Sequence, residues 1–161
     1  MRKCTLSIAG AWILGACADP ARPTGTEQIS VVELAVVANG DHGGLPMTRI
    51  MTGEAEITGD LGATGIARLS FNAGQETVCF ELSVLDIALP ATSSHIHEAP
   101  PGVAGPVTLA LIPPDVTGQS SGCLALARET ILKIITDPGA YYVNVHNIPH
   151  PTGAVRSQLA R

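Results

Sequence analysis

Glycine, proline and Asn/Asp turn residues interrupt this chain so often that most apolar runs between them are short. Seventeen glycines and twelve prolines are spread over 161 residues. Proline fixes φ and removes a backbone donor, and glycine weakens helix and strand interiors alike, so this spacing favours short strands and tight turns over long helices. The runs also alternate. In 65–71, Ala67, Leu69 and Phe71 share one side, with Arg68 and Ser70 on the other. In 77–87, Val78, Phe80, Leu82 and Val84 oppose Cys79, Glu81 and Ser83. A period of two is the mark of a strand with one buried face.

The same reading predicts strands at 29–37, 106–112, 141–148 and 154–159, and one or two within 47–58. Asn72 to Gln75 reads as a hairpin turn, and Val107, Leu109 and Leu111 are expected to point inward. Residues 128–136 break the pattern. Ile131, Leu132, Ile134 and Ile135 suit one or two turns of amphipathic helix, stopped by Asp137, Pro138 and Gly139. Eight or nine strands with one short helix near 129–136 predict an all-β fold. The expected form is an antiparallel β-sandwich, immunoglobulin-like or superoxide-dismutase-like, with a closed barrel as the alternative.

The N-terminus reads as an address. Arg2 and Lys3 precede an apolar run, 6–16, too short to span a bilayer and built like a secretory signal. It ends in Leu14, Gly15, Ala16 and Cys17, which resembles the bacterial lipobox. The expectation is a lipoprotein signal peptide at 1–16, acylation of Cys17, a flexible tether at 17–28 and one domain at 29–161. Cleavage before Cys17 would leave seven basic side chains against fourteen acidic ones. The partner implied is membrane lipid through Cys17, in the cell envelope and outside the cytoplasm. Ala18 rather than Asp after Cys17 favours the outer membrane. An acidic chain lacks the basic stripe that phosphate binding needs, which argues against nucleic acid.

Cysteine use follows. Cys4 leaves with the signal and Cys17 carries lipid, so an exported domain retains Cys79 and Cys123, most simply paired. A bridge there would close a loop of about 45 residues, for an upper figure of about 4 kcal/mol in the chain-entropy model.

Three stretches carry a resemblance. The first runs from Gly65 to Leu82. The second is His95-Ile96-His97-Glu98-Ala99-Pro100-Pro101-Gly102-Val103-Ala104-Gly105-Pro106-Val107. The third begins Tyr141-Tyr142-Val143-Asn144-Val145-His146 and ends Gly153-Ala154-Val155-Arg156-Ser157-Gln158-Leu159. Together they resemble the CHRD domain, first described in chordin and common in bacterial secreted proteins and lipoproteins. Ser157 stands where members usually have glycine, and Glu98 where glycine or arginine is common. The resemblance implies an extracytoplasmic β-sandwich module with no established catalytic activity, and marks Asn144, Arg156 and Gln158 as motif residues.

His95 and His97 lie two apart, so on a strand they share a face with Ile96 turned inward. With His146 from another strand they form a candidate ligand set for copper or zinc, since three imidazoles suit either ion. His-x-His followed by a later His is similar in pattern to the copper site of Cu/Zn superoxide dismutases, although neither a fourth histidine nor a zinc loop is evident. The alternative is structural, with the histidines and Asn144 satisfying buried backbone groups and Arg156 clamping Glu98 or Glu81. His42 and His150 lie in loops and are weaker candidates.

No nucleophile elbow surrounds Ser93, Ser94, Ser120 or Ser121, and no glycine-rich phosphate loop opens a helix. Glu54 and Glu56, read as sharing a strand face, are expected to be solvated carboxylates, as are Asp60 and Asp86. The function expected is binding or structural at the cell envelope, without turnover, toward an unknown envelope protein or ligand. Metal-dependent redox chemistry is the second reading.

Overall fold

Alternating apolar residues set the strands, and turn residues end them. The computed structural model describes residues 43–160. The signal segment 1–16, Cys17, the tether 17–28, the expected strand 29–37 and His42 lie outside the described residues. Eight strands follow in order: β1 (Leu45–Thr52), β2 (Thr64–Asn72), β3 (Thr77–Leu85), β4 (Ser93–Glu98), β5 (Val107–Leu111), β6 (Gln119–Ala125), β7 (Tyr141–His146) and β8 (Val155–Gln158). Helix α1 (Arg128–Thr136) and a 3₁₀ turn (Pro138–Ala140) stand between β6 and β7.

All pairings are antiparallel and join the strands into one sheet, in the order β5-β4-β7-β8-β1-β2-β3-β6. The sheet has two well-paired halves of four strands. A single ladder pair, Thr52 with Arg156, links β1 to β8, and Arg49 Nε donates to the Leu159 carbonyl across the same seam at 2.6 Å. One apolar cluster draws Leu111, Ile96, Val143 and Val155 from one half and Met51, Leu69, Phe71, Phe80 and Leu82 from the other. A sheet whose far strands share one core must curl, and this one curls toward a barrel. The all-β antiparallel expectation holds, but the strand pairing describes one curled sheet and not two separate layers.

Helix α1 inserts Ile131 and Ile134, both with no exposed surface, into the same cluster. Leu132 faces outward instead, at 44% exposure, and Glu129 pairs with Lys133 one turn on at 3.1 Å. Such an exposed pair adds only a few tenths of a kcal/mol, so burial of the two isoleucines is what docks the helix.

Two local expectations are corrected, and one strand is unanticipated. The segment after β1 is a run of turns, so Glu54 and Glu56 do not share a strand face. Strand β6 is half-polar: Ser120, Gly122 and Leu124 alternate with exposed residues, a pattern too weak to announce a strand beforehand. Val107 is 53% exposed and not inward, because the register shifts at a bulge between Ile96 and His97.

Cys79 and Cys123 sit directly opposite each other on β3 and β6, with Cα atoms 4.0 Å apart, and are joined by a disulfide. The bridge pins the polar edge strand to the apolar strand beside it. The two-serine variant is expected to unfold about 2–4 kcal/mol more easily. Denaturant titration of parent and variant under non-reducing conditions checks this; equal midpoints would contradict it.

Candidate metal centre

Strand β7 is buried at every position, from Tyr141 to His146. Tyr141, Val143 and Val145 enter the apolar core. Their alternates, Tyr142, Asn144 and His146, face the other way, and cannot be exposed to water either. Register places Asn144 opposite His95 and Tyr142 opposite His97 on β4, and Arg156 and Gln158 opposite Asn144 and Tyr142 on β8. The second face of β4-β7-β8 is therefore a buried polar layer, roofed by the loops that follow β1, β4 and β7.

Each member of that layer has an identifiable hold. Arg156, 1% exposed, donates from Nη1 to the Val103 carbonyl at 2.9 Å and from Nη2 to the Pro100 carbonyl at 2.9 Å. Its guanidinium carbon lies 3.3 Å from the Tyr142 ring centroid. Gln158 donates to the carbonyls of Ala99 and Gly139 at 2.6 and 2.8 Å. Arg156 thus grips loop carbonyls and an aromatic face, and not Glu98 or Glu81. Glu81 instead faces Arg68 at 3.8 Å. Burial without a carboxylate partner pushes the Arg156 pKa down from its ordinary value, while Tyr142 and Glu56 oppose the shift.

The loop held by Arg156 carries Gly105, whose carbonyl receives the Nδ1 proton of His97 at 2.9 Å. A Cβ at position 105 would collide with the Glu98 carbonyl, so only glycine allows the chain this close. The His97 ring stacks on Tyr142 at 4.7 Å, with 4° between planes. His146 is held in the same way: its Nδ1 donates to the Pro151 carbonyl at 3.1 Å. Carbonyl oxygens only accept, so a neutral imidazole at either position presents a bare lone pair at Nε2. The Nε2 of His97 is buried with no hydrogen-bond partner among the described residues. The Nε2 of His146 faces His95 Nδ1 and Asn144 Oδ1, both at 3.1 Å.

The result is convergence. One ligand atom from each of His95, His97 and His146 lies within 4.8 Å of the other two. His95 is half-buried and marks the solvent side of the group. His150, by contrast, sits apart, with Nδ1 on the Thr58 carbonyl at 3.0 Å and Nε2 3.7 Å from Asp60. The three histidines expected from spacing are those brought together. Glu56, Gly105 and Pro151 were missed, because two act through backbone carbonyls and Glu56 reaches the site from a distant turn.

Residues 47–159 match the family model described as the CHRD domain. The chain belongs to the CHRD domain family. No curated protein and no solved structure matches it. In this CHRD domain the histidine face lies on the three strands that carry the second and third motif stretches. No helix among the described residues is long and apolar enough to cross a membrane.

Electrostatics disfavour the charged form of His95 and His146. Burial, then the proximity of His146 and His97, lowers the His95 pKa from 6.5 to about 4. Burial also lowers His146, against the Pro151 carbonyl and Glu56. The unfolded chain therefore binds the His95 proton where the folded domain does not. This contribution is fully present above about pH 6.5 and is lost as pH falls toward 4. Melting temperature of metal-free protein is expected to drop over that window, and less steeply for His95→Asn. Equal slopes would contradict the assignment.

Proposed function

We propose that this chain is a membrane-tethered extracytoplasmic binding protein whose CHRD domain takes up one copper or zinc ion on His95, His97 and His146. The observation that carries the reading is the convergence of the three ring nitrogens, two of them with their protons directed away onto loop carbonyls. That is how metal-ligating histidines are oriented, with one nitrogen on the ion and the other donating to a carbonyl. Lowered pKa values for His95 and His146 support it, since only unprotonated imidazole can bind a metal. The 3.1 Å between His95 Nδ1 and His146 Nε2 also suits a shared ion. Two nitrogens at 2.0–2.1 Å from one metal and 3.1 Å from each other subtend about 100° at the metal. Imidazole ligands suit copper and zinc, and no thiolate joins the set.

A purely structural role is favoured by the same carbonyl contacts, but it leaves the buried Nε2 of His97 with nothing to bond. Elemental analysis separates the two. After chelation and reloading, the parent is expected to hold one equivalent of copper or zinc, with His97→Ala and His146→Ala each losing it. A folded parent that takes up neither ion returns the histidines to a structural role.

Support for the tether comes from the order of basic residues, apolar run and lipobox-like Leu14 to Cys17. Acyl chains on Cys17 give membrane attachment that a Cys17→Ala variant is expected to lack. Fractionation of expressing cells checks this; a variant that still pellets with membranes would contradict it.

A further inference from the structure

Asn144 lies in the midst of the three histidines, 1% exposed, and its role is not exhausted by bridging strands. Its Nδ2 donates to Glu56 Oε1 at 3.0 Å. That bond fixes which end of the amide is which, because a flip would set the carbonyl oxygen against a carboxylate. Oδ1 is thereby turned toward His146 Nε2, at 3.1 Å, the same distance that separates Nε2 from His95 Nδ1. With the His146 proton on Nδ1 facing Pro151, Oδ1 and Nε2 are two lone-pair atoms at hydrogen-bond distance with no hydrogen between them. A cation between the two turns that repulsion into coordination.

Resting on the metal-binding reading above, we propose that Asn144 Oδ1 is the fourth ligand of the ion and that Glu56 is the outer carboxylate that aims it. Three imidazoles and an amide carry no charge, so an ion they bind keeps its full positive charge in a half-buried pocket. Glu56, one hydrogen bond away, supplies the compensating negative charge without occupying a coordination position.

The fold maintains Glu56 there by several independent contacts. The turn region after β1 is tied to the loop before β8: Asp60 N–H donates to the Ala154 carbonyl at 2.9 Å, and Thr58 and Thr152 share a hydroxyl hydrogen bond of 2.8 Å. His150 caps the Thr58 carbonyl at 3.0 Å. Gly153, at φ +134°, passes directly under the Glu56 carboxylate, where a Cβ would collide with it. A neutral oxygen and three imidazoles form a set for a divalent ion, Cu²⁺ or Zn²⁺, in preference to monovalent copper, which selects softer sulfur ligands.

The test titrates Cu²⁺ alone into metal-free parent, Asn144→Ala, Asn144→Asp and Glu56→Gln, against a competing chelator, with electron paramagnetic resonance of each loaded sample. Asn144→Ala is expected to keep the coupling pattern of three nitrogens, shift its g values and bind about 10–100-fold more weakly. Asn144→Asp keeps an oxygen at this position but sets its second oxygen against the Glu56 carboxylate, and is expected to recover part of the affinity lost in Asn144→Ala. Glu56→Gln keeps an acceptor for Asn144 Nδ2 but loses the charge, and is expected to weaken binding by about tenfold. Folded Asn144→Ala and Glu56→Gln variants with the parent's affinity and spectrum would overturn the assignment while leaving the three-histidine site standing. If Asn144→Ala does not fold, Glu56→Gln decides alone. A folded parent that binds no copper overturns this assignment together with the reading beneath it.

Discussion

Burial of β7 on both faces is the constraint from which the rest of this domain follows. An edge or surface strand could show polar residues to water on its outer side, but β7 has none to show. Tyr142, Asn144 and His146 must find partners inside the protein, since a buried polar group without one costs about 1–3 kcal/mol. The neighbouring strands meet that demand in register, with His95 and His97 on one side and Arg156 and Gln158 on the other. The loops complete it from above with carbonyl oxygens from Ala99, Pro100, Val103, Gly105 and Pro151. The domain thus has two interiors, an apolar one within the curl of the sheet and a polar one outside it.

The polar interior is graded. At the β8 end a permanently charged guanidinium lies over Tyr142 and holds the loop after β4. Tyr142 in turn stacks on His97, so loop anchoring and ring orientation are one chain of contacts. At the other end, donors run out. The ring nitrogens of His97 and His146 have only lone pairs to offer toward the centre, and Asn144 adds a third acceptor there. An arrangement that spends its protons on the periphery and leaves its centre rich in lone pairs is poised for a cation, and this is the physical core of the proposed function.

The sequence makes parts of this legible for definite reasons. Strict alternation in 65–71 and 77–87 announces β2 and β3, because one face packs into the apolar core and the other carries the polar residues and Cys79. His95 and His97 declare a shared face through their spacing of two, and the isoleucines of 128–136 announce α1. What stays hidden depends on backbone or on distant pairing. Arg156 reads as a clamp for a carboxylate, yet it binds carbonyls, which have no letter in the sequence. Glu56 reads as a solvated surface carboxylate, and only the closure of the 53–62 turns over Gly153 brings it to Asn144. Val107 reads as inward until the bulge at Ile96 and His97 turns its strand. The single ladder pair of Thr52 with Arg156, where the two half-sheets join, leaves no periodicity to read.

The most direct measurement of the central claim is X-ray absorption at the metal edge of the copper- or zinc-loaded chain. The account predicts one ion with three imidazole nitrogens at about 2.0–2.1 Å and an oxygen at similar or longer distance. An ion bound by fewer than three imidazoles, or held mainly by carboxylate oxygens elsewhere on this acidic chain, would contradict it.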